Sequence, residues 1–395
     1  MVRQIVIAII FLASATFFYI IFLPKQLILL VSFACTALVV VTVLLASIYD
    51  HGKKFEQTFS VGVMMILLSF VLGMLGAYLG HNQGFLLSFW VMSPMLLYFF
   101  YFFLHTTRVR PEELERLLII MAILWMGIYI LQYAIFPVKL FDVRVESSRG
   151  TVRVFLPGRE FAALMYFYFL QLFFKTNKLK YIIFCLGYII ITLLSGTRSS
   201  ILPLMLVTFI NLVFSKRVKS RLMISFFITV SVVIVFFIFQ DLIMGLVEMS
   251  ESQASQEEED VRSRSTRFYL TEFYPNKINY IIGNGASHMA NAYGLKVIYY
   301  QTVFGYYQSD IGIIGVYVKY GVFYLIGVFL IMRKMFISKI EPKYYYFKYY
   351  AVLLVLNEIL GGAFGRPTSY IVTLTMLYIM DVSSYLLKHG EHESD

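Results

Sequence analysis

The chain has 395 residues, 59% hydrophobic, 18% aromatic and only 14% charged, with a formal net charge of +10 and a mean hydropathy of +0.76. These proportions exclude a soluble globular domain and describe an integral membrane protein. The apolar stretches are continuous and lack alternation at period two, which excludes an outer-membrane barrel and predicts an all-α polytopic bundle.

The N-terminus, MVRQIVIAIIFLASATFFYIIFLPKQ, has a basic start and an Ala13-Ser14-Ala15 triplet of the kind found at processing sites. Its apolar run continues to Leu23, long enough to span, so a retained first helix is expected. Further spans are predicted to give the set 4–23, 27–48, 59–79, 85–104, 117–136, 161–174, 181–194, 200–214, 222–246, 311–332, 349–364 and 367–387, about twelve in one transmembrane domain over 1–395. Cys35 and Cys185 fall inside these spans and read as packing residues, with neither a disulfide framework nor metal-ligand spacing.

The alternate loops DHGKKFEQ, HTTRVRPEELER, KTNKLK, SKRVKSR and RKMFISKIEPK are short and basic, which places them, with both termini, in the cytoplasm. The opposite set faces outward and includes an arginine-rich segment at 137–160 and a large loop at 247–310, between the ninth and tenth spans. Lysine dominates the inner loops, whereas the outer ones hold Arg144, Arg149, Arg153, Arg159, Arg198, Arg262, Arg264, Arg267 and Arg366. Topology is indifferent to the choice of cation, but a planar guanidinium forks onto phosphate and carboxylate oxygens in a way an ammonium does not. The bias supports an anion site; ordinary loop ion pairs are the alternative.

One stretch, LSGTRSSILP, joins the apolar runs 181–194 and 201–214. Each run gives roughly 21 Å of helix against a hydrocarbon core of about 30 Å, so the turn is expected to lie recessed in a water-filled cavity with Arg198 inside it. A charge at that depth reads as functional, a snorkelling arginine being the plain alternative. Pro203 suits the first turn of the next helix, with Ser199 or Ser200 as cap, so a helix N-terminus and the hydroxyls of Ser195 and Thr197 join Arg198 as anion-binding groups.

The large loop opens with a polar stretch whose acidic run at 257–260 reads as a solvated face, with a metal site as the rival. An amphipathic helix is expected from 262 to 274, ended by Pro275, with Arg264 and Arg267 on one face. Tyrosine and phenylalanine cluster around 293–308, with Asn291 just before, a composition suited to sugar faces and to a lipid-headgroup boundary, and equally to packing.

Several segments, taken in order, resemble the Wzy/O-antigen ligase superfamily of bacterial polysaccharide polymerases and ligases. They are SRGTVRVFLPGREFAALM, LLSGTRSSILPLMLV with its Ser-x-x-Arg hairpin, RSRSTRFYL, IIGNGASH, and YYQSDIGIIGVYVKYGVFYLIG, and the resemblance extends over about half the chain, 144–333. The resemblance implies a multi-pass protein of the bacterial cytoplasmic membrane acting on undecaprenyl-diphosphate-linked glycans at its outer face, in O-antigen, capsule or exopolysaccharide synthesis. It implies that Arg198 and Arg267 hold the diphosphate. The His-Asn pair of the ligases is replaced here by Asp310, which leans toward a polymerase.

On this reading a sugar hydroxyl of one lipid-linked repeat attacks C1 of the growing chain and undecaprenyl diphosphate leaves. Arginines meet the developing charge, no cofactor or metal is required, and the partners are the lipid-linked oligosaccharide, membrane lipid, and a flippase or chain-length regulator. Arg198, Arg267, Arg264, Arg153, Arg159 and Arg366 are the diphosphate candidates. Asp310 is the first choice of general base, with Glu160 and His288 behind it, and capping of the tenth helix is the structural alternative for Asp310. The rival functions are a ligase moving the finished glycan to its acceptor and a twelve-helix transporter. The transporter lacks its expected long central basic loop, and the acidic first outer loop of lipid-phosphate-sugar glycosyltransferases is absent from PKQ.

Overall fold

A computed structural model describes residues 2–49, 56–148, 151–195, 198–214, 261–361 and 367–389. In chain order its helices are α1 (Val2–Ser14), α2 (Lys25–Tyr49), α3 (Ser60–His81), α4 (Phe85–Met92), α5 (Phe100–Thr107), α6 (Pro111–Ala134), α7 (Arg159–Thr176), α8 (Leu179–Leu194) and α9 (Arg198–Phe214). After 260 come α10 (Val261–Thr271), α11 (Asn279–Ile282), α12 (Ala292–Phe304), α13 (Ile313–Ile337), α14 (Tyr346–Gly361) and α15 (Pro367–His389). A small hairpin, β1 (Val145–Ser148) with β2 (Thr151–Val154), sets Glu146 opposite Arg153 inside the segment expected to be all loop.

Among the described residues six helical stretches are long and apolar enough to cross a membrane: Lys25–Ile48, Ser60–His81, Phe85–Thr107 (α4 and α5 joined by the 3-10 segment Ser93–Phe99), Pro111–Ala134, Ile313–Ile337 and Pro367–His389. By helix length and hydropathy the chain is a multi-pass membrane protein, and of the twelve expected spans six are long and apolar enough among the described residues. The overcount has a simple cause: charged punctuation delimits apolar runs but does not make them long. The first helix stops at Ser14, because Thr16 to Tyr19 take positive φ and break the run to Leu23. Helices α8 and α9 have 16 and 17 residues, about 24 and 26 Å, short of a hydrocarbon core of about 30 Å. Helix α14 has 16 residues, and α7 carries Arg159, Glu160 and Lys175. The expected span at 222–246 and the acidic run at 257–260 lie outside the described residues.

The chain divides into two compact units, the first made of Met1–Leu30, Glu115–Glu258 and Tyr346–Leu353, the second of Val31–Leu114, Glu259–Tyr345 and Leu354–Asp395. In the second unit α3 and α13 pack backbone to backbone. A Cβ built on Gly62 would stand 2.9 Å from the Gly327 carbonyl oxygen, and one on Gly327 would stand 2.7 Å from that of Gly62. Lipid tails are as apolar as leucine, so such close approach, with its dispersion contacts, is what holds spanning helices together. Helix α13 breaks at Gly321, whose φ of 72° suits glycine. Carbonyls beside the break are satisfied from outside the helix: Val318 O accepts the Asn284 N–H at 2.9 Å, and Lys319 O accepts the Gly285 N–H at 2.8 Å.

Two carboxylates are buried inside this unit. Asp381 of α15, 1% exposed, accepts the Tyr101 hydroxyl on Oδ2 at 2.5 Å and the Thr58 N–H on Oδ1 at 3.2 Å. The ring nitrogen Nε2 of His105 stands 3.3 Å from the same Oδ2, off the line of a hydrogen bond. Glu358 of α14, 2% exposed, lies within electrostatic reach of Tyr98, Tyr324 and Tyr370.

In the first unit α7 and α8 form an antiparallel pair, entered at Gly158, whose φ of 101° starts α7 beneath Trp125. Gln132, fully buried, organises the chain after α6: its Nε2 donates to Val138 O at 2.8 Å, and its Oε1 accepts from Leu140 N at 3.0 Å and Phe141 N at 3.3 Å. Asp142 pairs with Lys25 at 2.6 Å, and that ammonium holds the Asp142 carboxyl below the usual carboxylate range. This frame delivers the β-hairpin to the end of the α8–α9 pair.

Candidate active site

In the first unit two arginines reach the same turn from different elements. Arg153, on β2 and with its side chain 12% exposed, donates from Nε to the carbonyl of Ser195 at 2.9 Å. Arg159, the first residue of α7, donates from NH1 to the hydroxyl of Ser200 at 2.8 Å. Ser195 closes α8, and α9 opens at Arg198, so the two guanidiniums bracket the Ser-x-x-Arg turn. Nothing is described of the Arg198 side chain, and Arg149 and Arg366 lie outside the described residues.

The surroundings combine cations, two carboxylates and aromatic faces. Phe155 lies under Arg153 at 4.9 Å and under Arg144 at 5.3 Å, a stacking geometry that suits guanidinium. Arg144 also pairs with Glu146, whose other oxygen is 3.9 Å from Arg153. Glu160, next to Arg159 and partly buried, is within electrostatic reach of Tyr188 and Tyr350. Two details differ from expectation. Pro203 sits inside α9 and not in its first turn, because the helix begins earlier, at Arg198; Ser200 is not its cap but the acceptor for Arg159.

The other candidates belong to the second unit. The helix expected from 262 to 274 is α10, Val261–Thr271, with Arg264 and Arg267 three residues apart. Arg267 is exposed, and the Nε of Arg264 is buried without a hydrogen-bond partner among the described residues. Asp310 is exposed at the end of a 3-10 turn, where its Oδ1 accepts the Ser309 hydroxyl at 3.1 Å. It does not cap α13. That position is Gly312, with φ 55°, where a Cβ would strike the Ile359 carbonyl, so glycine is required there and the helix starts without a capping side chain.

His288 is held at both its ends. Its N–H donates to Gln83 Oε1 at 2.8 Å, and its Nδ1 accepts from the Ala290 N–H at 3.0 Å. With the Nδ1 lone pair engaged, the neutral ring carries its hydrogen on Nε2 and is a donor, so a general-base role for His288 is not what this geometry favours. The loop that carries it is built on α3. Asn284 Oδ1 accepts from Asn279 Nδ2 at 3.0 Å and contacts His81 Nε2 at 3.0 Å, while Gln83 Nε2 donates to Ala286 O at 2.9 Å.

Sequence reasoning passed over His81, Gln83, Asn279, Asn284, Glu358 and the Asp381–His105 pair. The signal was available: Glu358 and Asp381 are carboxylates inside predicted spans, where an ionisable group is expensive and needs a stated partner. Among the described residues no group of three or more His, Cys, Asp or Glu is arranged to hold a metal ion. No protein-family model, curated protein or solved structure matches the chain.

Proposed function

We propose that the chain is a polysaccharide polymerase that joins undecaprenyl-diphosphate-linked oligosaccharide repeats at the outer face of a bacterial cytoplasmic membrane. The observation that carries this reading is the convergence of Arg153 and Arg159 on the turn that leads into Arg198. The donor sugar is already activated by its lipid diphosphate. Catalysis then consists of positioning two lipid-linked substrates and stabilising the negative charge that grows on the leaving diphosphate as the C1–O bond breaks. Guanidiniums at the α8–α9 turn supply that stabilisation.

A base must take the proton from the attacking sugar hydroxyl. Asp310 is assigned this role: it is exposed, and its neighbour Ser309 donates to only one of its oxygens. Because Asp310 does not cap α13, Asp310→Asn removes the base with no loss of a helix cap. Normal protein levels are expected, with polymer lost by roughly two to four orders of magnitude in rate, the range for a general base. Near-normal polymer from this variant would move the role to Glu160.

Purified protein in liposomes, supplied with lipid-linked repeats, is expected to make a ladder of longer lipid-linked chains, and to do so in the presence of a strong chelator. Loss of the ladder on chelation, with recovery on adding a divalent ion, would overturn the metal-free part and bring the acidic run at 257–260 back as ligands. Transfer of whole chains to a different acceptor without elongation would identify a ligase instead.

A further inference from the structure

We infer that α12 (Ala292–Phe304) is an in-plane membrane helix, seated with its exposed face in the bilayer where headgroups meet acyl chains. This does not rest on the proposed reaction. The first observation is its place in the second unit. His81, the last residue of the spanning helix α3, stacks on Tyr293 in the first turn of α12, with ring centroids 3.8 Å apart and planes 4° from parallel. The Tyr293 hydroxyl donates to Gly285 O at 3.1 Å, which ties the same turn to the loop packed on α3. The N-terminal end of α12 is therefore fixed at the level where a membrane span ends.

The second observation is the chemistry of the two faces. Tyr293, Gly294 and Val297 are buried against the unit. On the opposite side Leu295, Tyr299 and Val303, spaced by four, are 61%, 53% and 57% exposed. Thr302 shares that arc with its hydroxyl donating to the Ile298 carbonyl at 2.9 Å, and the exposed Tyr299 phenol pairs an apolar ring with a polar tip, which suits the headgroup boundary. Its one charge, Lys296, sits at the margin of the arc with its ammonium 5.8 Å from the centre of the Phe273 ring, on a four-carbon stem long enough to reach lipid phosphate. Met289, 74% exposed just before the helix, and Tyr307, 43% exposed just after it, extend the apolar margin. Contiguous apolar surface of this kind calls for cover, and the spanning helices already commit this unit to a bilayer.

The test uses the full chain in proteoliposomes, with Cys35→Ala and Cys185→Ala as background and a nitroxide attached at single cysteines. Leu295→Cys, Tyr299→Cys and Val303→Cys are compared with Met64→Cys, exposed in the spanning helix α3, and Glu272→Cys, exposed just after α10. Collision with oxygen, which concentrates in lipid, relative to a water-soluble nickel chelate is expected to be severalfold higher at the three α12 positions than at 272, approaching the value at 64. A ratio equal to that at 272 would show a water-exposed face and overturn the inference. Protection from both reagents would overturn it too, by showing a protein cover such as a second copy. Should the cysteine-free background fail to fold, Leu295→Trp and Glu272→Trp in the natural background, read by brominated-lipid quenching above the signal of Trp90 and Trp125, make the same distinction.

Discussion

Arg198→Ala is expected to abolish polymer while the protein stays in the membrane at normal level, with single lipid-linked repeats accumulating. The argument is one of charge and geometry. A fixed donor aimed at charge that develops only in the transition state is worth about two to three orders of magnitude in rate. Arg153 and Arg159 hold the turn at Ser195 and Ser200, so the position of residue 198 is set by hydrogen bonds that do not depend on its own side chain. Arg198→Lys should recover little, since an ammonium cannot present two parallel donors to a diphosphate. Full polymer from the lysine variant would leave a simple need for charge. Wild-type output from the alanine variant would remove the site.

The largest loss of stability is expected from Asp381→Ala. The carboxylate is 1% exposed, and its removal strands the Tyr101 hydroxyl and the Thr58 N–H and takes the carboxylate away from His105. Removing one partner of a buried ionic or charge-assisted contact costs about 3–5 kcal/mol, because the groups left behind remain desolvated. Thermal unfolding in detergent should show a clear fall in midpoint. Asp381→Asn, which keeps an acceptor but no charge, should fall between the two. An alanine variant that unfolds with the wild-type midpoint would show that water or a rearranged His105 replaces the carboxylate at no cost.

Membrane character and the region of the arginine cluster were legible in the sequence, because hydropathy and the choice of arginine over lysine are local properties. The span count was not. Residues 15–19 look as apolar as their neighbours, yet four consecutive positive φ values end the first helix there. The break at Gly321 is equally silent in a Gly-rich helix until Asn284 and Gly285 are seen donating to the carbonyls beside it. Capping is the sequence's alternative to the base role for Asp310, because aspartate before an apolar run is a favoured cap; that Gly312 holds the cap position, crowded by the Ile359 carbonyl, depends on a helix about 45 residues further on. Arg153 was named from its charge alone, whereas its reach to Ser195 depends on a hairpin that four-residue strands scarcely announce.

The glycine contact between α3 and α13 also sets the order in which the protein can be made. Gly62 meets Gly327, so α3 is synthesised and inserted long before its partner has left the ribosome. Until then the small-residue face of α3, Gly62, Gly73, Gly76 and Gly80, lacks most of its cover: Met92 of α4 can reach Gly73, but the loop that Gly283 and Gly285 bring to it has yet to be translated. The second unit therefore closes as a late docking of helices already in the bilayer, not as stepwise growth from the N-terminus. A ribosome that stalls before residue 313 leaves α3 in the membrane without α13, the kind of orphan that membrane proteases remove.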